Sequence, residues 1–114
     1  MIICFTGTGN SRRVADELAA ILGEKTAMLR RDGLTQQPGA DDRRIIWVMP
    51  VHSWGMPKMV RSYIRKARIE HAESLLHFLV LTCGDDCGLA HLQWRRSMKR
   101  RGWKAVAAHS VFMP

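Results

Sequence analysis

The segment Thr6-Gly7-Thr8-Gly9-Asn10-Ser11 combines residue types and spacing that could bind a charged ligand. It follows the apolar run Met1-Ile2-Ile3-Cys4-Phe5 and opens an amphipathic stretch. A strand, a glycine- and hydroxyl-rich turn and a helix N-terminus are therefore expected within the first eleven residues. Such a turn gathers free backbone N–H groups at the positive end of a helix dipole, which suits an anion. The two glycines let the backbone wrap closely around a ligand. Thr6, Thr8 and Ser11 add hydroxyl donors, and Asn10 adds an amide. A phosphate matches this set.

What the loop lacks narrows the kind of phosphate. A triphosphate-binding loop of the Gly-x4-Gly-Lys-Ser/Thr type needs a lysine that is missing here. A dinucleotide fingerprint needs a third glycine where the helix packs on the strand, and that place is taken by Arg12. Asp32 is only weak support for a dinucleotide. Neutral hydroxyl and amide donors suit a monoester phosphate. Arg12 and Arg13 in the first helical turn oppose the helix dipole by roughly 0.3–1 kcal/mol each, and a phosphate dianion in the preceding loop would reverse that sign. The bland alternative is an ordinary glycine-rich turn between a strand and a helix.

Three more segments complete a pattern: Pro50-Val51-His52-Ser53-Trp54-Gly55-Met56-Pro57, Thr82-Cys83-Gly84 and the final Met113-Pro114. Together with Phe5 through Ser11 they resemble the flavodoxin family over nearly the whole chain. The likeness is greatest to the flavodoxin-like domain of proteins that fuse a flavodoxin to a ferredoxin. The resemblance implies a flavodoxin-like α/β fold and non-covalent binding of flavin mononucleotide (FMN). Residues Thr6, Gly7, Thr8, Gly9, Asn10 and Ser11 would hold the phosphate. Pro50, Val51, His52, Ser53, Trp54 and Gly55, with Thr82, Cys83 and Gly84, would border the ring.

Trp54 lies in a turn flanked by Pro50, Gly55 and Pro57, so its indole is expected to stand out from the sheet. There it could stack on a flat, electron-poor ring, with core packing as the alternative. His52 could sit at the flavin edge or be a solvated bystander. The third loop departs from many flavodoxins, which place a second aromatic there. Here it reads Thr82-Cys83-Gly84-Asp85-Asp86-Cys87-Gly88, leaving one flavin face open to a partner or substrate. Asp85 or Asp86 would disfavour an anionic reduced flavin nearby. Cys83, Cys87 and His91 are too few and too widely spaced for a structural zinc site, and three cysteines cannot hold a four-cysteine iron–sulfur cluster. A Cys83–Cys87 redox pair stays open.

The elements that must position these residues alternate regularly. Strands are predicted at 1–5, 25–29, 45–49, 75–82 and 104–112, with helices at about 11–22, 57–68 and 88–101. Val14, Leu18, Ile21 and Leu22 are expected on the inward face of the first helix. Met56, Val60, Ile64 and Ala67 are expected inward on the second, and Ala90, Trp94 and Met98 on the third. Residues 30–43 read as a polar loop. This rhythm demands right-handed crossovers and a doubly wound, five-stranded parallel sheet of order 2-1-3-4-5. Ligands bind such a sheet beyond the carboxyl ends of its strands, where the strand order reverses. The three loops named above meet there. The sequence stops where a flavodoxin would continue into a last helix, so an uncovered sheet face and self-association through it are expected.

Composition sets the remaining bounds. In 114 residues, 46% hydrophobic and 25% charged content describes one globular domain. No apolar run approaches the ~20 residues that span a bilayer. Met1 opens the first strand, which leaves no room for an export signal, and an odd cysteine count then suggests reduced thiols in the cytoplasm. The charge is unusual for a flavodoxin: 18 Lys and Arg oppose 10 Asp and Glu, for a net +8. Much of the excess lies in residues 95–104, interleaved with Trp94 and Trp103. Nucleic acid is one reading of that stretch, but no recognised module accompanies it. An acidic redox partner, such as a ferredoxin-type protein, fits better. The expected function is electron transfer through FMN. The alternatives are an FMN-dependent reductase using a nicotinamide donor and a flavin-free interaction module.

Overall fold

The computed structural model describes residues 1–5, 9–52, 54–84 and 86–112. In chain order its elements are β1 (Ile2–Cys4), α1 (Asn10–Leu22), β2 (Thr26–Arg30), β3 (Gly33–Leu34), β4 (Arg44–Pro50), α2 (Lys58–Lys66), β5 (Leu76–Cys83), α3 (Ala90–Arg101) and β6 (Lys104–Phe112), with a short 3₁₀ turn at Ala72–Ser74. They build one sheet of order β3-β2-β1-β4-β5-β6. All pairings are parallel except that between β2 and β3. Without β3 the order is the expected 2-1-3-4-5. The correction is the two-residue β3, which folds back on Leu29 and Arg30 within the stretch read as a polar loop.

The central strands β1 and β4 are apolar without alternation because both sheet faces are covered near the centre, and 45–50 of β4 are all buried. On one face, α2 contributes Val60 and Ile64 and α3 contributes Ala90, Trp94 and Met98, which pack on Ile3, Trp47, Leu79 and Leu81. The inward stripes of both helices are thus as the periodicity implied. Within this core His77 is fully buried in a three-ring cluster, 6.2 Å from Trp47 and 5.3 Å from Trp103, with the two indoles 6.5 Å from each other. Trp47 Nε1–H donates to His77 Nδ1 (3.0 Å), so Nε2 carries the histidine proton and donates it to the Ala72 carbonyl (2.9 Å).

The other face is covered by α1 alone among the described helices, and α1 packs only in part as expected. Val14 and Leu18 are half-buried against the sheet as expected, but the fully buried residues are Ser11 and Ala15, while Ile21 is 79% exposed and Leu22 also faces outward. Small side chains let the helix lie close to Ile2, Cys4 and Val48, and that close seating turns the larger residues of the last turn away. Gly23 ends α1 in the left-handed region (φ 66°), donating its N–H to the Ala19 carbonyl. On β6, His77 pairs with Ala105 but Phe78 pairs with Ala107, so Val106 is one residue too many, a β-bulge. No helix among the described residues is long and apolar enough to cross a membrane.

Candidate functional site

The chain leaves the carboxyl ends of β1, β4 and β5 on the same edge of the sheet, and hydrogen bonds tie the three exits together. Phe5 N–H donates to the Val48 carbonyl (2.9 Å), and Val51 N–H donates to the Thr82 carbonyl (3.1 Å). Phe5 also meets His52 edge to face, with ring centroids 5.9 Å apart. The sheet order reverses between β1 and β4, so these loops flank the topological switch point.

Thr6, Gly7 and Thr8, named as phosphate donors, lie outside the described residues, as do Ser53, Asp85, Met113 and Pro114. Gly9 adopts φ 98°, a left-handed turn that glycine makes easily, and its carbonyl accepts the Arg13 N–H at 3.0 Å. Asn10 is exposed at the N-terminus of α1. Arg12 and Arg13 pair with Asp16 and Glu17 one turn on. Ser11 is buried, and its hydroxyl lies 2.8 Å from that of Thr82, 71 residues away. One hydroxyl donates in this pair, and the one that accepts keeps its own proton for a further acceptor. The first turn of α1 is thereby fixed to the end of β5.

Ser11→Ala should therefore destabilise by about 1–3 kcal/mol, because it leaves a buried Thr82 hydroxyl unpaired. Adding Thr82→Val should cost less than the two single changes summed, with a coupling of about 0.5–1.5 kcal/mol. Strictly additive denaturant midpoints would show that the pair contributes nothing.

His52 and Gly55 exchange backbone bonds (2.8 and 2.9 Å), closing a tight turn with Trp54 at its tip. Trp54 is 61% exposed and sits at φ 65°, a left-handed conformation unusual for a bulky residue. Core packing is therefore not its role. Behind it, the Trp54 carbonyl accepts the Leu89 N–H (2.8 Å), and a Cβ at Gly88 (φ 57°) would overlap the Trp54 backbone. Pro50 and Thr82 are buried at the strand ends, and Gly84 is exposed. Gln93 was not singled out from the sequence. Its Oε1 accepts the Met56 N–H at 2.7 Å, and so positions the turn from α3. The only sequence signal was a polar residue beside the inward stripe of that helix.

Cys83 and Cys87 form a disulfide with Cα atoms 5.8 Å apart. The odd cysteine count suggested reduced thiols, with a Cys83–Cys87 pair left open. Instead the end of β5 and the turn before α3 bring these two within bonding reach, and only the buried Cys4 is free. Burial raises the Cys4 thiol to a pKa of about 11, so it stays protonated and unreactive.

A cavity of about 470 Å³ opens between Phe5, His52, Gly55 and the start of α2. A larger one, about 730 Å³, lies at the opposite end of the sheet. Two of its three carboxylates are already paired, Glu24 with Arg44 and the Met1 ammonium, Asp42 with that ammonium and Lys25. The chemistry thus favours the smaller cavity beside the converging loops.

No known family profile and no curated protein matches the sequence. Solved structures do match. A candidate flavoprotein from Bacteroides uniformis ATCC 8492 superposes with a TM-score of 0.78 at 12% identity, over 98% of this chain and 88% of that one. The Trp repressor binding protein from Bacillus subtilis gives 0.72 at 14% identity, over 99% and 84%. The flavodoxin of Streptococcus pneumoniae TIGR4 gives 0.61 at 13% identity, over 97% and 81%. The fold is flavodoxin-like, as the four sequence segments implied.

Proposed function

We propose that residues 1–114 form a flavodoxin-like domain that binds FMN non-covalently and passes electrons to or from an iron–sulfur or other redox protein. The observation that carries this reading is the convergence of three loops at the switch point, with an exposed tryptophan held in a strained backbone conformation at the tip of one. Strain of this kind is retained where surrounding structure imposes it, and it concentrates at ligand sites. The phosphate would sit at the N-terminus of α1, against residues 6–11 and the spare hydroxyl proton of the Ser11–Thr82 pair. The indole of Trp54 would offer a stacking platform, with Val51, His52 and Gly55 around it and the Thr82-Cys83-Gly84 backbone at the polar edge. When bound, the flavin supplies the redox chemistry, while the protein orients it and sets its electrostatic surroundings.

The test is a titration of FMN against riboflavin, followed by absorption and by flavin fluorescence. Thr8→Ala should cost FMN about 1.5–3 kcal/mol, the range for a hydrogen bond to a charged acceptor, and leave the weaker riboflavin affinity unchanged. Trp54→Gly should act the other way. Both ligands should lose about 1–3 kcal/mol of affinity with the stacked ring, while melting temperature holds or rises because glycine adopts the left-handed conformation freely. A protein that refuses FMN altogether would rule the proposal out. So would a Trp54→Gly variant that melts several degrees lower with flavin affinity intact. The open second flavin face also allows a nicotinamide donor, and turnover of NADH or NADPH with an artificial acceptor would favour the reductase.

A further inference from the structure

Charge is concentrated on one part of this molecule. α2 carries Lys58, Arg61, Arg65 and Lys66, α3 carries Arg95, Arg96, Lys99, Arg100 and Arg101, and neither helix has an acidic residue. The two helices pack against each other on one face of the sheet. The rest of the chain then holds nine cations against ten carboxylates, so this helical face accounts for the whole net charge of +8. The ion pairs among the described residues all lie elsewhere, on α1 and around Met1.

Between the helices runs a groove of about 230 Å³ walled by Arg61, Arg65, Arg96, Arg100 and Arg101. Arg101 has a structural role: it donates to the Ile64 carbonyl (2.6 Å) and lies 4.4 Å above the Trp103 ring. The other four have no carboxylate partner among the described residues. Guanidinium groups are planar forks that match carboxylates two bonds at a time, and like charges gathered without a counter-charge repel. An acid in the groove answers both facts.

A second observation selects the class of partner. Leu89 and Leu92 are 59% and 50% exposed at the start of α3, and Leu89 is bonded to the Trp54 backbone at the mouth of the site. Leu92 stands one turn from Arg96 on the same helix surface. An apolar centre flanked by charge is the anatomy of a protein interface. A nucleic acid would look for exposed rings among the arginines, yet Trp94 and Trp103 are buried there, and the exposed Trp54 does not line the groove.

We infer that the α2–α3 face docks an acidic protein, which seats apolar side chains on Leu89 and Leu92 and sets carboxylates among Arg65, Arg96 and Arg100. The inference rests on the flavin reading only for what crosses the interface, since docking there places the partner over the mouth of the site.

The experiment uses the full chain without added flavin, so that it stands apart from the flavin question. One labelled probe is a twelve-residue peptide of glutamates interspersed with leucines. The other is a single-stranded oligothymidylate of equal formal charge. Both are followed by fluorescence anisotropy. The triple variant Arg65→Glu, Arg96→Glu, Arg100→Glu should bind the peptide about tenfold more weakly or worse at low salt, with the difference shrinking as salt is added. Leu89→Ser with Leu92→Ser should weaken the peptide several-fold and leave the oligonucleotide unchanged. Circular dichroism confirms folding, and the corresponding Arg→Gln triple provides a milder second variant. Peptide binding indifferent to both arginine sets overturns the inference. So does an oligonucleotide that binds more tightly than the peptide and ignores the leucines. FMN titration of the milder Arg→Gln triple, which touches no residue of the flavin site, should be unchanged, which keeps a failure here distinct from a failure of the flavin site.

Discussion

Gly88→Ala should lower stability by about 2–4 kcal/mol and weaken FMN binding at least roughly tenfold, although residue 88 is not among those placed around the flavin. A non-glycine residue held at φ 57° costs about 1–2 kcal/mol by itself. Its Cβ would then overlap the Trp54 backbone, so the two loops must part and the bond from Leu89 N–H to the Trp54 carbonyl is lost. Parting the loops shifts the indole, which is how a change made for steric reasons reaches the ligand. Thermal denaturation and FMN titration of one variant read both effects. Normal melting with normal affinity would mean that the loops do not meet as described.

The second large effect lies in the core. His77→Ala removes the ring that packs beside Trp47 and Trp103 and orphans the Trp47 N–H and the Ala72 carbonyl. A cavity of that size with an unpaired buried donor costs about 3–5 kcal/mol. The same residue sets a pH dependence. Desolvation by burial holds the His77 pKa below its ordinary value of 6.5, against the opposing pull of its bond to Ala72. Above about pH 6.5 the ring is neutral in both folded and unfolded chains, and its contribution is complete. As pH falls below that value the unfolded chain takes up a proton that the folded chain refuses, so stability is lost with acidification. His77→Phe should be less stable than the wild type at neutral pH, yet decline less between pH 7 and 5. Denaturant midpoints across that range check it, and parallel curves for the two proteins would assign the acid sensitivity to other groups.

The parts of this fold that show in the sequence are those with a long period or a long apolar run. Val60 and Ile64, and Ala90, Trp94 and Met98, repeat often enough to name the inward faces of α2 and α3. The runs at 45–49 and 75–82 announce strands, the first of them buried on both sides. β3 has two residues and no period, so nothing marked it. In α1 the pattern found Val14 and Leu18 but misled at Ile21 and Leu22, because large apolar residues draw attention whereas close packing on the sheet selected Ser11 and Ala15. In the site, Trp54 was legible because prolines and a glycine bracket it. The Ser11–Thr82 pair was not, because only the folded sheet brings residues 71 positions apart together. Gln93 was missed for a related reason: its partner is a backbone N–H on another element. Spacing alone left the Cys83–Cys87 pair undecided between thiols and a bond, and the turn geometry decides it.

The extra residue in β6 bears on how the molecule lives at high concentration. β6 is the outermost strand, and over Lys104–Phe112 its outer side is a row of backbone donors and acceptors. A straight strand of that length would be a template on which the next molecule could form hydrogen bonds, and the next on that, until a fibre grew. Val106 breaks the two-residue rhythm near one end, so an incoming strand that matches one side of the bulge is out of step on the other. Lys104 adds a charge at the same end, a further deterrent to a second copy. One surplus valine thus interrupts the ladder that an endless stack of these sheets would need.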